Sequence, residues 1–530
     1  MSGLRALPAA VHSLIAAVAA MMLWALQGDR GLNLWAVGHI RLAQGVNAWM
    51  NGDVQRTVED VFRGDIRYYP GPAMLDAILF GSSRLEWGLR LLTLTAAGLA
   101  VSSVWMMTER LSGRAAAWTA ACALSFHPWM VSAATVPTPT SFMLAGVLVP
   151  TALVVCARRR TWLWTVSVIV SLAVGLLCSP HVWLWMACLF VLLFVDLESA
   201  VGPGEVRIRT VHIGELSVIP LAVAVAVACH PWWAEEPLKH VGLSLRDWMR
   251  VQPEPMVWFG SRYGADRIPV LATLSGPILW LPSVWTLFTL VGMTRAVLGI
   301  RRQPQRWFPS LFVLGAALVL LWSLRTMWHA GVDLRVLVVA AALPLSVSGV
   351  MWVAGALMNA GEGAQRTLQA QRGHVTGARV MLAAVAVLSL IESAPAWQTA
   401  ESWHSSLLGG TRGAAARGMW RNPHAPVPVE WASQWMNVSG RWVVPVNDWE
   451  WHRVLDYYVE TGRMPAPVEW SSLETADVGL MVFEDAAPEF HAAWLEYDRL
   501  ERAGRVLGRW LSADGTVLAA AVWLGAGEPP

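Results

Sequence analysis

Two arginines lie where a polar segment meets an apolar run, and their side chains suit an anionic ligand. Arg67 precedes Tyr68 and Tyr69 at the start of one apolar segment, and Arg335 opens another. A guanidinium group presents a fork of N–H donors that matches the oxygens of a phosphate. Arginines at the ends of apolar segments also extend their charge to water at a membrane interface. Both interpretations stay open for each arginine.

Histidines near the ends of apolar runs could hold a divalent metal ion. They are far apart in the sequence and show no metal-ligand spacing, so we predict no metal ligands. The cofactor is left unknown, with a divalent metal as one candidate. The five cysteines lie in apolar runs without CxxC or CxxxH spacing, which favours buried thiols over a disulfide framework. The histidines are His39, His127, His181, His230, His240 and His329.

The composition predicts that a membrane surrounds the elements carrying these residues. Of 530 residues, 55% are hydrophobic and 14% are charged, whereas soluble proteins have about a quarter charged residues. This excludes a soluble globular chain and a disordered one. The net charge of +2 gives no reason to expect nucleic acid as a partner, and 33 tryptophans are typical of many membrane–water interfaces.

About eleven apolar segments approach the roughly 20 residues that a transmembrane helix needs. The first has no small-residue cleavage site after it, so we interpret it as a retained helix rather than a signal peptide. The predicted spans are residues 9–26, 89–107, 115–134, 141–156, 162–178, 182–195, 213–229, 270–294, 308–324, 336–357 and 380–391.

Arginine placement predicts the orientation of these spans. One set of loops is rich in arginine, as at 158–160 and 301–306, whereas the turns at 127–140 and 179–181 have none. Because cytoplasmic loops are enriched in Arg and Lys, the N-terminus is predicted in the cytoplasm and the C-terminus outside. The chain is thus predicted to be integral to the cytoplasmic (inner) membrane.

The two ends of the predicted membrane domain carry different kinds of outer segment. The first outer loop, residues 27–88, has helical spacing that predicts amphipathic helices on the membrane surface. In the tail, charge rises, and the patterns predict strands at 441–446 and 477–483 and helices at 449–460 and 488–503. They also predict a hairpin of strands 505–511 and 516–524 around Asp514-Gly515.

The predicted fold class is an all-α polytopic membrane protein of about eleven transmembrane helices with a small C-terminal extracytoplasmic α/β domain. The predicted boundaries are 1–393 for the transmembrane domain, 394–428 for a linker and 429–530 for the α/β domain.

This plan and two local motifs resemble the GT-C class of membrane glycosyltransferases, especially bacterial relatives of the protein O-mannosyltransferases and aminoarabinose transferases. Gly52-Asp53, followed by Arg67-Tyr-Tyr-Pro-Gly-Pro72 and an apolar run, looks like the family's G-D … Y-x-K-P-P-L segment. His329-Ala-Gly-Val-Asp333-Leu-Arg335, followed by Pro344, looks like its H-x-x-R-Y-L-L-P-x-x-P stretch. The resemblance covers the whole chain loosely.

The resemblance implies transfer of a sugar from a polyprenyl phosphate to an acceptor outside the cytoplasm. Such a reaction needs a base for the acceptor proton, cations for the phosphate and a groove for the lipid. The implied partners are a lipid-linked sugar donor, an acceptor (glycan, lipid or protein) and the membrane. The implied substrate-binding residues are Asp53, Arg67, Tyr68, Tyr69, His329, Asp333 and Arg335.

The chain departs from the family where the catalytic acid is expected, about fifteen residues before the Gly-Asp pair. That stretch reads Trp35-Ala-Val-Gly-His39, without an acid, and the second outer loop, 135–141, also lacks one. Asp29 and His39 are nearest to the family position and are therefore the catalytic candidates, each with a solvated loop residue as its alternative.

Three functions follow. The first is a GT-C-like glycosyltransferase. The second is a non-catalytic membrane scaffold of the same fold in cell-surface glycan assembly, which the missing acids favour. The third, a transporter, ranks last because the span interiors are nearly free of charged residues.

Overall fold

The computed structural model describes most of the apolar part of the chain and parts of the tail. The described residues are 10–11, 13–19, 21–22, 34–53, 70–81, 85–135, 137–157, 160–194, 215, 217–229, 256–258, 261–263, 280–323, 328–361, 368–397, 431, 434–435, 442–443, 449–462, 477–482, 492–511 and 517–529.

The described apolar part is built from helices, because inside a bilayer the backbone N–H and C=O groups must bond within their own segment. One short antiparallel hairpin, β1 (Met256–Trp258) with β2 (Ser261–Tyr263), interrupts them. The helices are α1 (Leu34–Met50), α2 (Gly71–Phe80), α3 (Leu85–Ser112), α4 (Arg114–Ser125), α5 (Pro128–Thr135), α6 (Pro139–Cys156), α7 (Trp162–Cys178), α8 (Pro180–Phe194), α9 (Val218–Cys229), α10 (Ser283–Ile300), α11 (Pro304–Ser323), α12 (Trp328–Gly361) and α13 (Leu368–Ser393).

Five stretches of the described helices are long and apolar enough to cross a membrane: Glu86–Ser112, Pro139–Cys156, Ser283–Ile300, Leu334–Leu357 and Thr376–Ser393. The apolar helices α2, α7, α8, α9 and α11 offer shorter apolar stretches of 10–17 residues. The polytopic helical character predicted from the sequence is thus confirmed, whereas the count of eleven spans stays a prediction.

The predicted span 115–134 is wrong as a single helix. α4 ends at Ser125 and α5 begins at Pro128, with His127 between them. Proline disfavours helical backbone at the residue before it and readily starts a new helix, so His127-Pro128 breaks the run. In the predicted span 270–294, α10 begins only at Ser283, directly after Pro282.

Side-chain contacts bring together the helix ends that the predicted topology places on the same side. At the predicted inner side, the Arg306 guanidinium donates to the carbonyl of Leu111, and Arg160 pairs with Glu215. At the opposite end, Trp397 Nε1 donates to the Phe126 carbonyl at 2.8 Å. These contacts join helix ends that the prediction places on the same side, while the alternation of all the spans and the assignment of one side to the cytoplasm stay predictions.

Among the described helices, α10 and α12 make a close backbone contact. A Cβ atom added at Gly292 would collide with the Leu345 carbonyl oxygen, and one added at Gly349 would collide with that of Phe288. The Thr289 and Ser346 hydroxyls share a hydrogen bond of 2.6 Å in the same contact. Small residues of this kind let two helix backbones touch inside a membrane.

The tail forms a four-stranded sheet in the order β3-β4-β6-β5, with β3 parallel to β4 and the other pairs antiparallel. Its elements are β3 (Trp442–Val443), α14 (Trp449–Glu460), β4 (Val478–Val482), α15 (Ala492–Arg502), β5 (Val506–Leu511) and β6 (Val517–Trp523). These types and positions confirm the predicted elements, while the domain boundaries and the extracytoplasmic location stay predictions.

The contact between α10 and α12 should be intolerant of a single added methyl group. We expect Gly292→Ala to lower the thermal unfolding midpoint in detergent, because the new Cβ has backbone rather than a flexible side chain in its way. Gly315→Ala is the control: it is helical with nothing within 4 Å of its Cβ position, and Ala exceeds Gly in helix propensity by about 1 kcal/mol. Equal midpoints for the two variants would contradict this interpretation of the contact.

Candidate functional site

Ionisable side chains are buried at the predicted outer end of the helices. His39, Asp76, His127 and His181 are all buried, and Arg335 is only 8% exposed. At the opposite end, arginines such as Arg114, Arg301 and Arg302 are exposed. Burying a charged or titratable group costs free energy unless it is compensated, so such groups collect where they have a function. The outer end is therefore the candidate site.

One part of this end is the first-loop cluster, formed by Trp35, His39, Asp76, Gly88 and Phe142. It joins α1, α2, the start of α3 and the start of α6, together with apolar residues of one buried cluster. The Trp35 ring stacks on the His39 ring with centroids 3.8 Å apart and lies 5.9 Å from the ring of Phe142. The described segments on either side of residues 54–69 thus meet around one buried core.

His39 is held in a defined orientation on α1. Its Nδ1 donates to the Trp35 carbonyl oxygen, one helical turn earlier, at 3.1 Å. This hydrogen bond requires the proton on Nδ1, so in the neutral ring Nε2 is the nitrogen with the lone pair. The imidazole can therefore accept a proton at Nε2.

Asp76 lies on the buried face of α2, and its side chain is fully buried. Neither carboxylate oxygen has a hydrogen-bond partner among the described residues. Burial raises the pKa of Asp76 from its ordinary value of 3.8 to about 8, because an apolar site disfavours the charged carboxylate. α2 has ten residues and is too short to span a bilayer, and it lies within the predicted first outer loop.

A second part of the outer end is the arginine cluster, formed by Arg335, Trp280 and His127. The Arg335 guanidinium carbon lies 5.3 Å from the centroid of the Trp280 ring, a cation–π contact. His127 Nε2 donates to the Trp280 carbonyl oxygen at 2.6 Å. Trp280 therefore connects the first turns of α12 to the break between α4 and α5.

Helix ends are fixed next to this cluster. Glu392, near the end of α13, accepts from the Ser283 backbone N–H at 2.8 Å and from its hydroxyl at 3.0 Å. A carboxylate at a helix N-terminus satisfies N–H groups that have no partner within the helix. Glu392 thus anchors the start of α10, only three residues after Trp280.

Asp53 lies in the turn that ends α1 rather than in the buried site. Its backbone N–H bonds to the Ala48 carbonyl at 2.9 Å, its side chain is exposed, and Gly52 has φ +79°. Glycine adopts this left-handed conformation without strain, so the Gly52-Asp53 pair forms a helix-terminating turn. The turn gives the pair a structural explanation, and its predicted substrate contact stays untested.

The remaining predicted residues fall into two groups. The backbones of His329 and Asp333 lie in the first turns of α12, within two turns of Arg335. Asp29, Arg67, Tyr68 and Tyr69 lie outside the described residues. Within the described ranges, no group of three or more His, Cys, Asp or Glu residues is placed to hold a metal ion.

Sequence reasoning missed Asp76, although a signal was present. Asp76 is the acid in an otherwise apolar ten-residue helix, GPAMLDAILF, directly after the Tyr-Tyr-Pro motif. An acid in so apolar an element must be buried, exposed at an edge or paired, and only the structure shows which.

The raised pKa of Asp76 predicts a pH-dependent stability. The folded protein binds this proton more tightly than the unfolded chain, so the contribution is complete below about pH 4 and is lost as the pH rises to about 8. We expect the free energy of unfolding of the wild type to fall relative to that of Asp76→Asn across this range, by up to about 1.4 kcal/mol per pH unit. The thermal unfolding midpoint in detergent, measured for both proteins at each pH, should fall with it. Parallel midpoint curves for the two proteins would contradict the prediction.

Matches to this chain were found among solved structures. No family model matches the chain, and no curated protein matches it. The crystal structure of ArnT from Cupriavidus metallidurans in the apo state matches with 14% identity and a TM-score of 0.46, covering 98% of this chain and 99% of that one. The ArnT structure bound to undecaprenyl phosphate matches over the same shares with 14% identity and a TM-score of 0.43.

The Archaeoglobus fulgidus oligosaccharyltransferase in the apo form matches with 12% identity and a TM-score of 0.45, covering 88% of this chain and 65% of that one. ArnT and this oligosaccharyltransferase are GT-C glycosyltransferases, the class that the sequence motifs resemble. Because all of these TM-scores lie below 0.5, we base the function on the residues of this chain.

Proposed function

We propose that this protein is a membrane glycosyltransferase that moves a sugar from a polyprenyl-phosphate donor to an acceptor on the outer side of the cytoplasmic membrane. The observation that carries the proposal is the burial of Arg335, in the early turns of α12, against Trp280. A guanidinium held in a low-dielectric site at a membrane interface binds a phosphate far more strongly than it would in water. Arg67, outside the described residues, is the second proposed phosphate contact.

The proposed transfer is a displacement at the anomeric carbon of the sugar. The acceptor hydroxyl oxygen forms the new bond to that carbon while the bond to the phosphate oxygen breaks, and the electron pair leaves with the polyprenyl phosphate. The phosphate gains negative charge as it leaves, which the guanidinium stabilises. The hydroxyl proton passes to a base in the first outer loop, for which the family position offers Asp29 and His39.

A second function, a non-catalytic scaffold of similar architecture in cell-surface glycan assembly, has one observation in its favour. α1 carries His39 but no acid in its sequence LWAVGHIRLAQGVNAWM. A relative that had lost its carboxylate base would still bind a lipid-linked sugar at the arginine cluster. Donor binding without turnover would therefore identify the scaffold.

The test uses the purified full-length chain in detergent with a panel of radiolabelled polyprenyl-phosphate sugars, with and without a divalent metal. Release of polyprenyl phosphate from at least one donor is the expected result. The panel also identifies the sugar and any metal requirement. Binding of donors without release would replace the enzyme by the scaffold, and neither binding nor release would overturn both.

Arg335 should matter for the donor phosphate rather than for folding. We expect Arg335→Gln to lower kcat/KM for the donor by about 100- to 1,000-fold, the usual cost of losing one preorganised charge contact. Arg301→Gln, an exposed arginine at the opposite end of the helices, is the control and should keep wild-type values.

Since Arg335 is buried, its variant needs a check on folding. Thermal midpoints of both arginine variants are therefore measured beside the kinetics, and Arg335→Lys should retain part of the activity because it keeps the charge without the fork. Unchanged donor kinetics in a folded Arg335→Gln protein would remove this residue from the proposed site.

A further inference from the structure

The Asp76 carboxyl is a buried polar group that protein packing alone leaves unexplained. It is fully buried, and its two oxygens have no hydrogen-bond partner among the described residues. Proteins bond nearly all buried polar groups, so an unsatisfied one calls for a specific cause such as a bound water, a ligand or a catalytic role. The cost of leaving a carboxyl in this state argues against chance.

α3 packs closely against this carboxyl at a position that has no side chain. A Cβ atom added at Gly88, on α3, would collide with Asp76 Oδ1. On α2 itself, Ala73 and Ala77 are small and buried next to it. Any residue larger than glycine at position 88 would displace the carboxyl, so the position of the Asp76 carboxyl against α3 depends on the absence of a side chain there.

The titratable groups on the helices packed against α2 are few, and their charges are paired with others. α1 contributes His39 and Arg41, and Arg41 pairs with Glu460 at 3.1 Å. α3 contributes Glu86 and Arg90, which pair with each other at 3.3 Å. α7 contributes the buried thiol of Cys178. No described cation bonds to Asp76. Burial holds its pKa near 8, which suits proton exchange near neutral pH.

We propose that Asp76 is the proton acceptor of the transfer reaction, and this inference rests on the proposed function. The acceptor hydroxyl oxygen bonds to the anomeric carbon, the carbon–oxygen bond to the phosphate breaks, and the phosphate leaves with the electron pair. The hydroxyl proton moves to a carboxylate oxygen of Asp76. A residue of α2 thus takes the role of the base, because the family position on α1 holds no acid.

His39 lies in the same first-loop cluster and is the competing base. Its Nδ1 is bound to the Trp35 carbonyl, so its function would require Nε2. The two bases differ in their pH signatures. A carboxyl with a pKa near 8 gives a rate that rises with pH up to about 8, and this rise does not depend on His39.

The experiment compares Asp76→Asn with the wild type in the release assay, using the donor that the wild type turns over. Asparagine has the shape of a protonated aspartic acid but cannot accept the proton. We expect kcat to fall about 100-fold or more with little change in KM, as for loss of a general base. Glu109→Gln is the matched acid-to-amide control, because Glu109 pairs with exposed Arg114 at the opposite end.

Two further measurements keep the test decisive if Asp76→Asn folds poorly. The first is the pH profile of wild-type kcat/KM, which should rise with unit slope to a plateau near pH 8. The second is the same profile for His39→Gln, which should keep that rise. A rise that disappears in His39→Gln would assign the proton to His39 and overturn the proposal.

The outcomes separate the two levels of inference. Wild-type turnover with a fully active, folded Asp76→Asn overturns the role of Asp76 and keeps the glycosyltransferase. Absence of release by the wild type with every donor overturns the proposed function and the role of Asp76 with it.

Discussion

The backbone contact between α10 and α12 is the constraint on which the outer end of the molecule depends. Gly292 and Gly349 let the two helices touch, and the hydrogen bond between Thr289 and Ser346 fixes their register. α10 begins three residues after Trp280, and α12 carries Arg335 in its early turns. The close contact of α10 with α12 therefore helps to place Trp280, just before α10, against the guanidinium of Arg335 on α12. Glu392 of a third helix, α13, holds the start of α10.

The two ends of the helices differ in how their charged side chains are accommodated. The described arginines at the predicted inner end are exposed or bonded, as Arg160 is to Glu215 and Arg306 is to the Leu111 carbonyl. At the outer end His39, Asp76 and Arg335 are buried instead. The inner end also buries the Arg160–Glu215 pair, but there the two charges compensate each other. Burial of the less compensated groups at the outer end costs stability, which is the usual relation between a site and the scaffold that holds it.

Much of the architecture could be predicted because it follows from periodicity and hydropathy. The helix 449–460 was predicted with the bounds it has, and the strands of the tail hairpin lie within a residue of their predicted positions. The break at His127-Pro128 could not be placed from hydropathy, since the apolar run continues across it. Its signal was the proline, which an average over a window does not register.

The site was less accessible from the sequence than the fold. Arg335 could be singled out because a charge at the mouth of an apolar run is conspicuous. Asp76 had a signal in its apolar surroundings, but its burial could not be read from the sequence, because it involves contact with Gly88, a residue of a different helix. Motif spacing likewise identified Gly52-Asp53 without revealing that the pair forms the turn ending α1.

The contact between α1 and α14 has a consequence for biogenesis. Val454, Tyr457 and Tyr458 of α14 pack in the same core as Ala36 and Ile40 of α1, and Arg41 bonds to Glu460, 419 residues later. Chains emerge from the ribosome N-terminus first, so α1 is synthesised long before the helix that completes its core. The His39 side of the site can reach its final form only after nearly the whole chain has been made. Synthesis of the last part of the polypeptide therefore determines when the first part can complete its packing.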